Sequence, residues 1–281
     1  MGHAPGQRPE PAGPPAGGNG AHGRTYGRVC RAIDWLAPLV RHATRVALPR
    51  KCLLCGLSCG DLTQAPICST CDAVYWNEPR LRCEVCALPL PALSARPGGP
   101  GRFLCSACLR TPAPFDATLA LADYRPPLER LALGLKFHAR LAVAREFGNR
   151  LARLADDHAA RTSRPDVLAP MPLAHARLVA RGFNQAWEIA RPLARALGVA
   201  AEPTLMRRIA DTAQQSRLDR DARRRNVAAA FRVTHAVRGL HVGLVDDVMT
   251  SGATLEAAAR VLKAAGARRV TNFVALRTPK D

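Results

Sequence analysis

No run of about 18 consecutive apolar residues occurs in the 281-residue chain, so no segment is expected to span a membrane as a helix. The opening MGHAPGQRPEPAGPPAGG has no apolar h-region, which argues against a Sec-type signal and makes the cytoplasm the expected compartment. Lysine is scarce: 4 Lys stand beside 37 Arg, and that skew, with the abundance of Ala, has the look of GC-rich coding. The net charge is nonetheless +19. Cationic surfaces attract polyanions, and arginine also grips phosphate through paired hydrogen bonds. The charge therefore fits a nucleic acid or a phosphorylated small molecule equally well. Hydrophobic residues make up 48% of the chain, which excludes disorder throughout and allows one large domain or two modest ones.

Residues 1–27 read as a disordered tail, since their first 23 positions hold seven Gly and five Pro and little that can be buried. Residues 28–49 predict a helix with Val29, Ile33, Leu36, Val40 and Val46 at helical spacing, kinked or split at Pro38. Residues 50–112 are rich in turn formers and hold nine of the ten cysteines.

From 115 to 281 the pattern alternates. Strands are expected at 117–124, 166–173 and 241–248, and in the closing RRVTNFVALRT. Helices are expected in LERLALGLKF, LAVAREFGNRLARLADD, ARGFNQAWEIARPLARALGV and ATLEAAARVLKAAGA, the last with Gly266 near its C-cap. HVGLVDDV is nearly all apolar until its acids, as a central strand covered on both faces should be. The expected fold is α/β: an open, mostly parallel sheet flanked by helices, preceded by a small cysteine module.

With no export signal, ten cysteines do not read as a disulfide framework. They run Cys52-x2-Cys55, Cys68-x2-Cys71, Cys83-x2-Cys86 and Cys105-x2-Cys108. Each C-x2-C turn aims two thiolates at one ion, and two turns complete the tetrahedron that Zn²⁺ prefers. Four turns predict two structural zinc sites with no open coordination position. The simplest pairing is sequential; an interleaved pairing satisfies the same spacing. An iron–sulfur cluster is the other chemistry four thiolates serve. Cys30 and Cys59 fall outside the pattern and read as packed or free thiols.

The stretch VGLVDDVMTSGAT (242–254) carries the most chemistry. An apolar strand ends in Asp246 and Asp247, a loop of small residues follows, and a helix opens. Ligands of open α/β sheets bind at the carboxyl ends of strands, where this loop falls. The main-chain N–H groups of Thr250, Ser251, Gly252, Ala253 and Thr254 can wrap an anion, helped by the positive end of the helix. Two carboxylates beside a phosphate make sense when the ligand also offers vicinal hydroxyls. Asp246 and Asp247 then accept from a ribose, and the whole reads as a ribose-5-phosphate cradle. No G-x4-G-K-[ST] is present, so it is not a Walker A loop.

GLVDDVMTSGATL resembles the signature of type I phosphoribosyltransferases that bind 5-phosphoribosyl 1-diphosphate (PRPP). LGLKFHARLA (132–142), APMPLAHARLVARGFNQA (169–186) and QQSRLDRDARRRNVAAAF (214–231) narrow the resemblance to the ComF/GntX group, competence-protein-F-like proteins, over about residues 29–278. The cysteine module is similar to that family's zinc ribbon, here doubled. Ser251 stands where Thr is common and keeps the hydroxyl. The resemblance implies a glycosyltransferase that binds PRPP with Mg²⁺ and releases pyrophosphate. Asp246 and Asp247 are then the catalytic candidates, with Arg181, Gly182 and Lys136 joining the loop in PRPP binding; Arg177 and the Phe183-Asn184-Gln185 run lie beside them. It also implies a link to DNA uptake and its machinery. The alternative function is a non-catalytic single-stranded-DNA-binding competence factor that uses the cradle as a ligand sensor. Residues 207–238, with nine Arg and three Asp, suit a loop closing on PRPP, a single-strand groove or an exposed helix; Phe231 is their sole aromatic.

Overall fold

The computed structural model describes residues 51–59, 66–76, 81–91, 96–97, 103–158, 163–209 and 230–279. The tail expected at 1–27, the helix expected at 28–49, Cys30 and the middle of the Arg-rich segment (210–229) lie outside the described residues. All described residues belong to one unit, Arg50–Asp281.

The elements in chain order are α1 (Ser69–Tyr75), β1 (Arg96–Pro97), β2 (Phe103–Leu104), α2 (Ser106–Arg110), β3 (Ala117–Asp123), α3 (Glu129–His138), α4 (Leu141–Asp157) and β4 (Val167–Pro170). They continue with α5 (His175–Arg181), α6 (Gln185–Leu197), β5 (Ala200–Ala201), β6 (Met206–Arg208), β7 (Phe231–Val233), β8 (His241–Met249), α7 (Ala253–Ala264) and β9 (Arg269–Arg277).

The main sheet has five strands in the order β3-β9-β8-β4-β5, every neighbouring pair parallel. β8 and β9, nine residues each, lie inside it. Alternation along them feeds two cores. Val242 and Leu244 of β8 and Val270 and Val274 of β9 meet α7 on one face. Val245 and Phe273 meet α3, α4 and α6 on the other. Both faces are covered, so the strands read as continuous apolar runs.

Gly243 is needed for this packing. A Cβ there would lie 2.4 Å from Leu168 Cδ2 and 2.9 Å from Phe273 Cε2. Gly243→Val is expected to cost about 1–3 kcal/mol of stability, read as a lower urea midpoint at unchanged slope.

The sequence places one long helix across 180–199; the structure divides it. Gly182, at φ 77°, ends α5 with its N–H on the Leu178 carbonyl. Asn184 then starts α6 by accepting from the Ala186 N–H at 3.0 Å. The strand expected at 166–173 is shortened to Val167–Pro170, and Asn184 Nδ2 donates to the Met171 carbonyl just past its end. The pairing of β6 with β7, antiparallel and outside the main sheet, was not expected.

The cysteine-rich residues share the core of the sheet. Cys52, Cys59, Ile67 and Cys71 pack with the α3, α4 and α6 residues. Trp76 meets Phe147 edge-on at 6.1 Å, and Arg150 lies over Trp76 while bridging Asp72 and Glu146. Further along, the Thr118 N–H on edge strand β3 donates to the Glu84 carbonyl at 3.0 Å.

Candidate phosphate site and metal centres

β8 carries its two acids to the carboxyl edge of the sheet. Asp247 is 5% exposed, and its Oδ2 is buried without a hydrogen-bond partner. Asp246 is half-buried and accepts from the Asp247 N–H at 2.9 Å. Burial, and then the neighbouring Asp247 charge, push the Asp246 carboxyl well above the usual carboxylate range; Lys136 pulls the other way. A carboxyl that disfavours its own ionisation, with an unfilled acceptor beside it, is a common mark of a binding site.

The loop follows directly. Thr250 and Ser251 are exposed, and Gly252 is the N-cap of α7 at φ 88°. That φ is strained for any other residue, and a Cβ would stand 2.6 Å from Met249 Cε. Ser251 Oγ accepts from the Ala253 N–H at 3.3 Å, and the Glu256 N–H on the Gly252 carbonyl closes the first helical turn. Ala253 and Thr254 are exposed in that turn, whose N–H groups have no intrahelical acceptor. An anion at this end would meet the Thr254 N–H, the Ser251 hydroxyl and the helix dipole.

The expected cations come from two other elements. Lys136 of α3 acts on Asp246, with its Nζ 5.6 Å from the Phe137 ring centre. Arg181 ends α5 and hydrogen-bonds Gln185 Oε1. Burial pushes its guanidinium down, Asp247 pulls it up and Arg177 pushes it down again. Lys136, Arg181 and the acid pair are thus one electrostatic group. Gly182 is exposed with open space where a Cβ would stand, so its visible task is the left-handed cap of α5.

Two residues at this edge were not singled out from the sequence. Tyr124 follows β3, its phenol pushed up by burial, Glu129 and Asp247. Arg277 ends β9 with 1% of its surface exposed and donates to the carbonyls of Met249 and Thr250, which begin the loop. A charged residue closing an otherwise apolar buried strand was the available signal.

The cysteines settle into two groups, Cys52/Cys55/Cys68/Cys71 and Cys83/Cys86/Cys105/Cys108, each with its sulfurs within 4.8 Å of one another. The pairing is sequential. Metal–sulfur bonds of about 2.3 Å in a tetrahedron place sulfurs about 3.8 Å apart. Cys55 and Cys68 Sγ are 3.8 Å apart, and Cys86 and Cys105 Sγ 3.6 Å. Main-chain N–H groups of Leu54 and Cys68 point at Cys52 Sγ, at 3.4 and 3.3 Å. Burial raises the Cys52 thiol, but donors from the Cys55, Cys68 and Leu54 main chain outweigh it and bring its pKa to about 6. The spacing of the four sulfurs, with main-chain donors aimed at Cys52 Sγ, fits a divalent metal. Cys59 is buried in the core beside the first group, as a packed thiol.

A curated relative, DNA utilization protein YhgH of Salmonella typhimurium, is 34% identical over 235 residues, covering 83% of this chain and 99% of that protein. The chain belongs to the ComF family. Competence protein F of Haemophilus influenzae is a more distant relative of this ComF-family chain, 31% identical over 172 residues, with 59% of this chain and 75% of that protein covered. A family model described as a phosphoribosyl transferase domain matches residues 184–281, which include the acid pair and the loop. Among solved structures, a purine phosphoribosyltransferase from Pyrococcus horikoshii is 17% identical over 47% of this chain and 80% of that one, with a TM-score of 0.28. The ComF-family chain thus joins a type I phosphoribosyltransferase-like sheet to two four-cysteine clusters. Among the described residues, no helix is long and apolar enough to cross a membrane.

Proposed function

We propose that the chain is a PRPP-binding phosphoribosyltransferase whose two cysteine clusters hold structural zinc. The observation that carries the reading is the buried, unpartnered Asp247 Oδ2 one short loop before the exposed N-terminus of α7. A ribose hydroxyl supplies the donor that atom lacks, and the 5-phosphate then falls to Thr250, Ser251, Gly252, Ala253 and Thr254. Asp246 takes the second hydroxyl. Arg181 and Lys136 are the cations for the diphosphate. Mg²⁺ would be carried largely by diphosphate oxygens, supplying charge neutralisation with few protein ligands.

In the reaction a nucleophile forms a bond to C1 as the C1–O bond to diphosphate breaks, and pyrophosphate leaves with the electron pair. The protein's part is to hold the ribose and stabilise the charge gathering on the leaving group. Calorimetric titration with PRPP and Mg²⁺ tests this. Saturable binding, competed by ribose 5-phosphate, is expected; no binding by the native protein would overturn the reading.

A second reading, single-stranded DNA binding in the cytoplasm alongside DNA-uptake proteins, is favoured by the net charge of +19 and by the names of the relatives. Affinity for an oligonucleotide should then fall steeply between about 50 and 200 mM salt. Absence of binding at low salt removes it.

A further inference from the structure

Arg277 is among the largest fully buried side chains of the described residues. A buried guanidinium is costly unless its donors find acceptors. Its Nε donates to the Cys86 carbonyl at 2.9 Å, and the two hydrogens of its Nη1 are shared among the carbonyls of Met249 at 3.0 Å, Thr278 at 2.8 Å and Thr250. One end of the planar fork therefore holds a metal-binding turn, and the other holds the first residues of the phosphate loop. The fork is rigid, so displacing the Cys86 carbonyl breaks a bond or drags the loop.

Other bonds tie the same turn to the sheet. Arg82 bridges Asp123 at 2.8 Å and also donates to the Ala87 carbonyl. Asp123 lies opposite Arg277 in the β3–β9 register. The first cluster packs instead beside α4. Charge points the same way: four thiolates around a divalent ion carry a net charge of −2, next to a buried cation.

We propose that Arg277 is a positioning residue that couples metal occupancy of the Cys83/Cys86/Cys105/Cys108 cluster to the shape of the Met249–Gly252 loop. Losing that metal then loosens the loop and lowers affinity for the phosphorylated ligand. The affinity half rests on the PRPP reading; the loop half does not.

The test uses the full chain. Amide hydrogen exchange of residues 249–254 is followed in metal-loaded protein, and again when the second cluster is emptied by Cys86→Ser. Cys55→Ser, in the first cluster, is the control. Exchange in the loop is expected to rise on emptying the second cluster and not with Cys55→Ser. PRPP affinity should fall by about 5–150-fold, and by linkage PRPP should raise metal affinity at that cluster by the same factor.

Arg277→Lys keeps the charge and loses the fork. It should leave metal content unchanged while the loop exchanges fast regardless of metal. Loop exchange that ignores the second cluster's metal overturns the coupling, as does native protection in Arg277→Lys. If Arg277→Lys fails to fold, the comparison of Cys86→Ser with Cys55→Ser decides. If PRPP does not bind at all, the functional reading falls while the exchange measurement still judges the coupling.

Discussion

PRPP binding should disappear when Asp246 and Asp247 are both changed to Ala, with the fold and the metal content retained. Each carboxylate is assigned one ribose hydroxyl, and a hydrogen bond to a charged acceptor is worth about 1.5–3 kcal/mol. Losing two weakens binding by about 10²–10⁴-fold. Titration calorimetry reads the loss, and circular dichroism with metal analysis checks the rest; unchanged affinity would refute the ribose role.

The same pair makes a prediction of opposite sign for stability. The Asp246 carboxyl is held well above the usual range by burial and by Asp247. The folded state therefore holds this proton more tightly than the unfolded chain does. Stability is lost as pH rises from the ordinary carboxylate pKa, about 3.9, toward the elevated folded value. Asp246→Asn removes that loss. The ligand-free variant should melt higher than the native protein at neutral pH, with the difference closing below the ordinary carboxylate range. A lower melting temperature at pH 7 would show that the ionised Asp246 is stabilised by its surroundings.

Metal analysis of protein never exposed to chelator should give close to two zinc per chain. Structural zinc contributes on the order of 10 kcal/mol or more of apparent binding energy in small domains. Cys52, Ile67 and Cys71 share the core of the sheet, and Cys83, Leu88 and Cys105 form only a small cluster of their own. Stripping both ions should therefore cause cooperative loss of structure in residues 51–110 and a large fall in melting temperature. A stoichiometry near one or zero defeats the two-site assignment, and iron in place of zinc would redirect it to cluster chemistry.

How far the sequence could be read depended on whether a feature is set by neighbours in the chain or by distant ones. α4 occupies the segment LAVAREFGNRLARLADD as read, because its apolar spacing names its buried face. The acid pair, loop and helix of 246–254 were legible for the same reason: a strand end, a small-residue turn and a helix start follow one another. The division between α5 and α6 was missed because Gly182 and Asn184 act as caps inside an apparently continuous pattern. β6 is Met-Arg-Arg, with no alternation to announce it, and its partner β7 starts at Phe231. Arg277 fell inside the expected closing strand RRVTNFVALRT. Its burial depends on carbonyls at Cys86 and Met249, 191 and 28 positions away.

The parallel pairing of β3 with β9 has a consequence for synthesis on the ribosome. Thr118 and Asn272, joined by a hydrogen bond, are 154 positions apart. At about 5–20 residues per second, β3 and the cysteine turns before it wait on the order of 8–30 s for their partner strand. Throughout that interval the cysteines are made but Arg277 and the rest of β9 are not. An ion captured early would fold the turns locally and keep eight nascent thiols from oxidation or from wrong partners. The order of emergence would thus give a bound ion a part in protecting the growing chain as well as in holding the finished one.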